Sequence, residues 1–172
     1  MTFTPSTNGT DYGSLTSITV SAGATTGTVS FTPTDDTIYE GNETAIISIS
    51  TISGADATES GSQSVTITIV ENDSTPVVTL STSATSIAEN AGSSLTLTAT
   101  LSNATTEDVT VALSTSGTGT EGTDYSTISD ITISAGDTTG TASFTPTDDS
   151  VYEGNETGIV AISSVSGGSA NE

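Results

Sequence analysis

A gapless internal repeat constrains this chain more than any other feature. "TDDTIYEGNET" (residues 34–44) recurs as "TDDSVYEGNET" (residues 147–157), and only Thr37/Ser150 and Ile38/Val151 differ. The match runs upstream, where "ITVSAGATTGTVSFTPTDD" (18–36) aligns with "ITISAGDTTGTASFTPTDD" (131–149) and "GTDY" (9–12) with "GTDY" (122–125). Asp11 and Asp124 stand 113 positions apart, and that offset holds throughout. A period of this length describes a whole domain rather than a solenoid unit, so the same fold is written in tandem.

Side-chain alternation identifies the fold class. Val65, Ile67 and Ile69 alternate with Thr66 and Thr68; Leu95, Leu97, Ala99 and Leu101 alternate with Thr96, Thr98 and Thr100; Val109, Val111 and Leu113 do the same. A period of two with one apolar face means antiparallel strands packed on one side. It also argues against disorder, which the low aromatic content and high charge would otherwise suggest. Strands are predicted over 77–80, 86–88 (with 77–80, a split first strand), 93–102, 108–115, 129–134, 139–147 and 156–163, and over 62–70 in the first copy. Short strands at this spacing with Gly-rich turns predict an all-β, immunoglobulin-like antiparallel sandwich of two sheets, in tandem. The expected boundaries are 1–74, a copy without its opening strands, and 75–172, a copy without its last strand. Ser74, Thr75 and Pro76 form a short junction with little slack, because proline fixes one backbone angle. A longer parent chain, with repeats on both sides, is the expectation.

Charge sets the next limit. The chain holds 21 Asp and Glu but no Lys, Arg, His or Cys, for a formal net charge of −21. Binding to nucleic acid, which relies on Lys and Arg against phosphate, is not expected. Disulfides, thiol chemistry and most nucleophile or general-base arrangements are excluded as well. No apolar run is long enough to span a bilayer as a helix. Thirteen of the 21 acidic residues occupy repeat-matched or junction positions: Asp11, Asp35, Asp36, Glu40, Glu43, Glu71, Asp73, Glu89, Asp124, Asp148, Asp149, Glu153 and Glu156. Two carboxylates about 4 Å apart repel by roughly 4 kcal/mol at an effective dielectric of 20. A hard cation removes that conflict. Calcium accepts six to eight oxygens in irregular geometry, magnesium demands a strict octahedron, and zinc favours His or Cys, so calcium fits these residue types best.

The combination of "AENAG" around Glu89, "GTDY", the "DDxxYEGNET" loop and the closing "END" (71–73) resembles Calx-beta repeats, the sandwich domains of sodium–calcium exchangers and of large bacterial surface adhesins. In calcium-binding members, acidic residues at these positions hold the ion at one end of the sandwich. The resemblance implies a first site of Asp11, Asp35, Asp36, Glu40, Glu43 and Asp73, and a second of Glu89, Asp124, Asp148, Asp149, Glu153 and Glu156. Glu71 is expected to point away from the ion.

Phe31 and Phe144 are expected in the core, and Tyr39 and Tyr152 are expected to lay their rings on the sandwich. The functional expectation is a non-enzymatic, calcium-stiffened stalk repeat of a long secreted adhesin at the cell surface, partnered by neighbouring repeats of its own chain and without membrane insertion. A polysaccharide- or protein-binding module and a regulatory calcium sensor are the alternatives.

Overall fold

In the computed structural model, residues 3–5, 11–54 and 56–172 are described; Gly9 and Thr10 of the first "GTDY" lie outside them. The described elements are eleven strands and one 3-10 turn: β1 (Phe3–Pro5), β2 (Ile38–Tyr39), β3 (Glu43–Ser48), β4 (Ser64–Ile69), β5 (Val78–Thr82), the turn Glu89–Ala91, β6 (Leu95–Leu101), β7 (Ala104–Thr105), β8 (Val109–Gly117), β9 (Ile131–Ile133), β10 (Thr139–Phe144) and β11 (Gly158–Ser166). The chain is an all-β sandwich protein. It divides into two compact units, Met1–Asp36 with Gly41–Asn72 and Thr37–Glu40 with Asp73–Glu172.

The second unit shows the layers plainly. One antiparallel sheet runs β10-β6-β5 and another β11-β8-β9, and β2 pairs in parallel with β7. The alternation read from sequence becomes burial. On β6, Leu97, Ala99 and Leu101 are buried while Thr96 is exposed; on β9, Ile131 and Ile133 are buried and Thr132 is exposed. These join Val78, Val109, Val111 and Ala170 in one core, against which Phe144, Val160, Ile162 and Val165 pack. On β11 the register against β8 slips between Ile162 and Ser164. A bulge here inserts one residue and so resets the alternation. Val160 and Ile162 face the core before it and Val165 after it, which a strict period of two would not allow.

One predicted strand is absent. Residues 86–88 form no strand, and the chain leaves the sheet after Thr82. Thr82 Oγ1 donates to the Ala84 carbonyl at 2.9 Å, and the Thr96 N–H donates to Ser83 Oγ at 2.9 Å. Such hydroxyl bonds take over backbone partners from the strand ladder. The chain then turns through Glu89–Ala91 and ends that turn at Gly92, at φ 61°.

The first unit holds one described sheet, β1-β3-β4. Its strands obey the same register logic, with Ala45 opposite Ile67 and Ile47 opposite Val65. A matched glycine shows how literally the fold repeats. A Cβ on Gly140 would collide with the Thr132 carbonyl oxygen, and a Cβ on Gly27 would collide with that of Thr19. These two positions are 113 apart and sit in the shared "TTG", so the glycine is required by close backbone approach.

Candidate metal centre

The clustered acids are placed by a clamp that both copies build alike. In the first, Gly13 N–H donates to Thr32 O at 3.0 Å and Thr34 N–H to Asp11 O at 2.9 Å; in the second, Ser126 N–H donates to Thr145 O at 2.9 Å and Thr147 N–H to Asp124 O at 2.9 Å. Tyr12 bridges Pro33 and Tyr125 bridges Pro146. The rings complete the clamp: Tyr12 lies 4.8 Å from Phe31, and Tyr125 stacks on Phe144 at 4.6 Å. Both tyrosines are buried. "GTDY" and "FTPT" are thus two halves of one joint, and its product is an aspartate fixed at the root of the acidic loop.

The loop then folds its own carboxylates together. In the second copy, Val151 N–H donates to Asp149 Oδ1 at 2.6 Å, a local turn held by the aspartate side chain. Gly154 follows at φ 81°, as Gly41 does at φ 78° in the first copy. Two groups of acids result. Glu89, Asp149 and Glu153 bring one carboxylate oxygen each within 4.8 Å of one another, as do Asp124, Glu153 and Glu156. Glu153 belongs to both. Glu89 arrives from the 3-10 turn and accepts a long bond, 3.4 Å, from Asp149 N–H. Asp124 is steadied by Thr120 N–H, which donates to its Oδ2 at 2.6 Å.

Electrostatics agree with crowding. Glu153 is raised above the ordinary carboxylate range, first by desolvation and then by Asp124, Asp149, Glu156 and Glu89. Glu156 is raised by desolvation, by the Asp124 charge, by a hydrogen bond to the Asp124 carboxyl and by Glu89. A hydrogen bond between two carboxyls needs a proton that a cation would replace. Glu121 shows the contrast. Its oxygens take the Thr115 hydroxyl at 2.7 Å and the Ile128 N–H at 2.8 Å, and its pKa is lowered, chiefly by those bonds. It is an acid occupied in holding a strand end.

In the first copy, Asp11 and Glu43 fall in one compact unit, and Asp11 is buried, with 8% exposure. Glu43 is raised by desolvation, then by Asp11 and Glu71. Among the described residues, Asp35, Asp36, Asp73 and Asp148 belong to no such group of converging acids. Asp35 instead accepts a bond from Asn72 Nδ2 at 2.8 Å.

Two residues of "END" have a part that spacing did not reveal. Glu71 Oε2 accepts from Gly41 N–H at 2.8 Å, and its own N–H donates to Asn42 Oδ1 at 2.9 Å. With Asn72 on Asp35, this latches the end of β4 to the acidic loop. The Glu71 carboxylate therefore turns to the loop, close enough to influence Glu43. The readable signal was Asn42, a fixed amide in an otherwise acidic phrase. Tyr152 departs from expectation: its ring is 96% exposed. The turn at Asp149 carries Val151 and Tyr152 outward, and the ring packing expected of Tyr152 is done by Tyr125.

The donors in these groups are carboxylate oxygens, and the chain has no His and no Cys, so the set fits a hard cation and no soft one. No curated protein and no solved structure matches the chain. The Calx-beta domain family matches it twice, over residues 4–73 and 71–172. With nearly its whole length covered by two adjacent matches, the chain belongs to the Calx-beta domain family.

Proposed function

We propose that this chain is a non-catalytic structural repeat whose acidic end takes calcium, and that such repeats form the stalk of a long secreted bacterial surface adhesin. The observation that carries this reading is Glu153, a carboxylate shared by two converging acidic groups in a chain with no cation of its own. Glu89, Asp124, Asp149, Glu153 and Glu156 would hold the ion in the second copy, and Asp11 and Glu43 would contribute to the corresponding site in the first. Calcium would supply the positive charge that lets the loop, the 3-10 turn and the "GTDY" joint stay together. The chain's own contribution is to converge the oxygens and to anchor Asp11 and Asp124 through the ring clamp. Extracellular calcium, in the millimolar range, suits weak sites of this kind. The hydroxyl-rich outer faces and uniform negative charge keep neighbouring stalks hydrated and apart.

Calorimetric melting of the chain in calcium, in magnesium and in excess chelator tests the reading. Calcium at a hundred times its dissociation constant stabilises by about 2.7 kcal/mol, a rise of roughly 5–10 °C for a chain of this size. A melt that calcium leaves unchanged removes the metal role and leaves a metal-independent spacer.

A further inference from the structure

We infer that Thr118 and Thr157 are positioning residues for the second copy's metal site: their exchange of hydroxyl bonds fixes Asp124 and Glu156 side by side and so sets the calcium affinity of that site. This rests on the calcium reading and adds to it two residues that carry no charge.

Asp124, Glu153 and Glu156 converge, although their charges repel. Something uncharged must hold them. The segment Thr118-Gly119-Thr120, which follows β8, reaches two of the three. At one end, Thr120 N–H donates to Asp124 Oδ2 at 2.6 Å, and Asp124 N–H donates back to Thr120 O at 2.9 Å. At the other end Thr118 grips Thr157, the residue after Glu156. Thr157 N–H donates to Thr118 Oγ1 at 2.9 Å, and Thr118 N–H donates to Thr157 Oγ1 at 3.2 Å. Each hydroxyl thus serves the other residue's amide, and the two hydroxyl oxygens lie 3.3 Å apart. The Thr157 carbonyl also accepts from Thr118 N–H at 3.0 Å and from Gly119 N–H at 3.1 Å. One short segment therefore ties the root of Asp124 to the root of Glu156.

Glycines make the close approach possible. Gly117 stands opposite Gly158 where β8 meets β11. A Cβ on Gly117, at φ 120°, would collide with the Thr157 carbonyl oxygen, and one on Gly158 would come within 2.9 Å of the Phe144 ring. The threonine pair therefore rests directly on the Tyr125–Phe144 clamp. A Cβ on Gly119 would lie 3.4 Å from Glu156 Oε2, so the carboxylate lies against the place that a side chain there would fill. The pair acts on the metal site only through Asp124 and Glu156. Outer-shell partners of this kind orient the oxygens that touch the ion.

Calcium titration calorimetry of the full chain, beside amide hydrogen exchange in chelator, tests the pair. A Glu43→Gln background weakens the first copy's site and isolates the second. Thr118→Val keeps the β-branched shape and removes the hydroxyl. It should weaken calcium binding by about tenfold, the lower end of what disturbing an outer-shell partner costs, and the Thr157 amide should lose protection. Thr118→Ser returns the hydroxyl and should return both. Thr105→Val controls for stability alone. It deletes the 2.6 Å bond from the buried Thr105 hydroxyl to the Glu107 carbonyl in β7, so it should lower the melting temperature and leave calcium affinity near wild type. Should Thr118→Val fold poorly, Thr157→Val removes only the other half of the exchange and should give a smaller loss of the same sign. A wild-type chain that binds no calcium removes the calcium reading and this proposal with it. A chain that binds calcium but whose affinity Thr118→Val weakens no more than Thr105→Val does overturns the positioning role alone.

Discussion

The Asp149 amide donates to the Glu89 carboxylate at 3.4 Å, joining residues 60 apart in sequence. The bond is long, and both side chains belong to the same acidic group as Glu153. The 3-10 turn and the acidic loop of the second unit therefore meet at one point, held by weak bonds against mutual repulsion, and the consequences are measurable.

Glu153→Gln should have effects of opposite sign with and without metal. In chelator it relieves repulsion from four neighbouring carboxylates, so the melting temperature should rise. In calcium it removes an oxygen donor shared by two groups, and the loss of affinity should exceed the roughly 10–100-fold that disturbing an outer-shell partner costs. Calorimetry of both states, with calcium titration, checks both signs in one variant.

Metal-free stability should increase as pH falls from neutrality toward the carboxylate range. Glu43, Glu153 and Glu156 are raised in the folded state. A raised carboxylate binds its proton more tightly folded than unfolded, so ionisation costs stability above the folded pKa and protonation restores it below. Glu121, lowered in the folded state, works the other way and loses its contribution as pH drops through its folded pKa. Three raised groups against one give a melting temperature that first climbs on mild acidification. Saturating calcium should reverse that slope, because protons then compete with the ion. Thermal melts across pH with and without calcium read the crossing.

Gly140→Ala should destabilise the second unit by about 1–3 kcal/mol, the usual cost of forcing a methyl into occupied space. The added Cβ meets the Thr132 carbonyl oxygen and Ile131 Cγ2, and a backbone atom cannot swing aside. Gly27→Ala should act alike in the first unit. Chemical denaturation of both variants, each melted beside wild type, tests the match.

Glu71→Ala should loosen the first copy's acidic loop by about 1 kcal/mol, since it removes the acceptor on Gly41 N–H. Glu71→Gln keeps an oxygen acceptor there and should retain most of the stability. Amide hydrogen exchange at Gly41 distinguishes the two: protection falls in the alanine variant and persists in the glutamine one.

The sequence disclosed the fold class through alternation, and β6 and β9 bury the residues that alternation selects. It disclosed the acidic loop because exact repetition of charged residues has few causes other than shared geometry. What it concealed was set by hydrogen bonds that no pattern of hydrophobicity carries. The strand expected over 86–88 yields to Thr82 and Ser83 hydroxyls. Tyr152 turns to solvent because of one aspartate-held turn. Glu71 acts on a residue 30 positions away and Asn72 on one 37 away, distances over which local spacing is silent. The grouping of Glu89 with Asp149 depends on the 3-10 turn, which the expected strand would have displaced.

The ring clamp also gives the protein a built-in optical gauge. The chain has 4 Tyr and no Trp, so its ultraviolet emission is tyrosine emission alone. Tyr12 and Tyr125 each follow an aspartate of an acidic group and rest on a phenylalanine, while Tyr152 stands in solvent. Any movement of the loop root reaches two buried phenols directly. The condition of the acidic end can be followed in unlabelled protein, by the light it already emits.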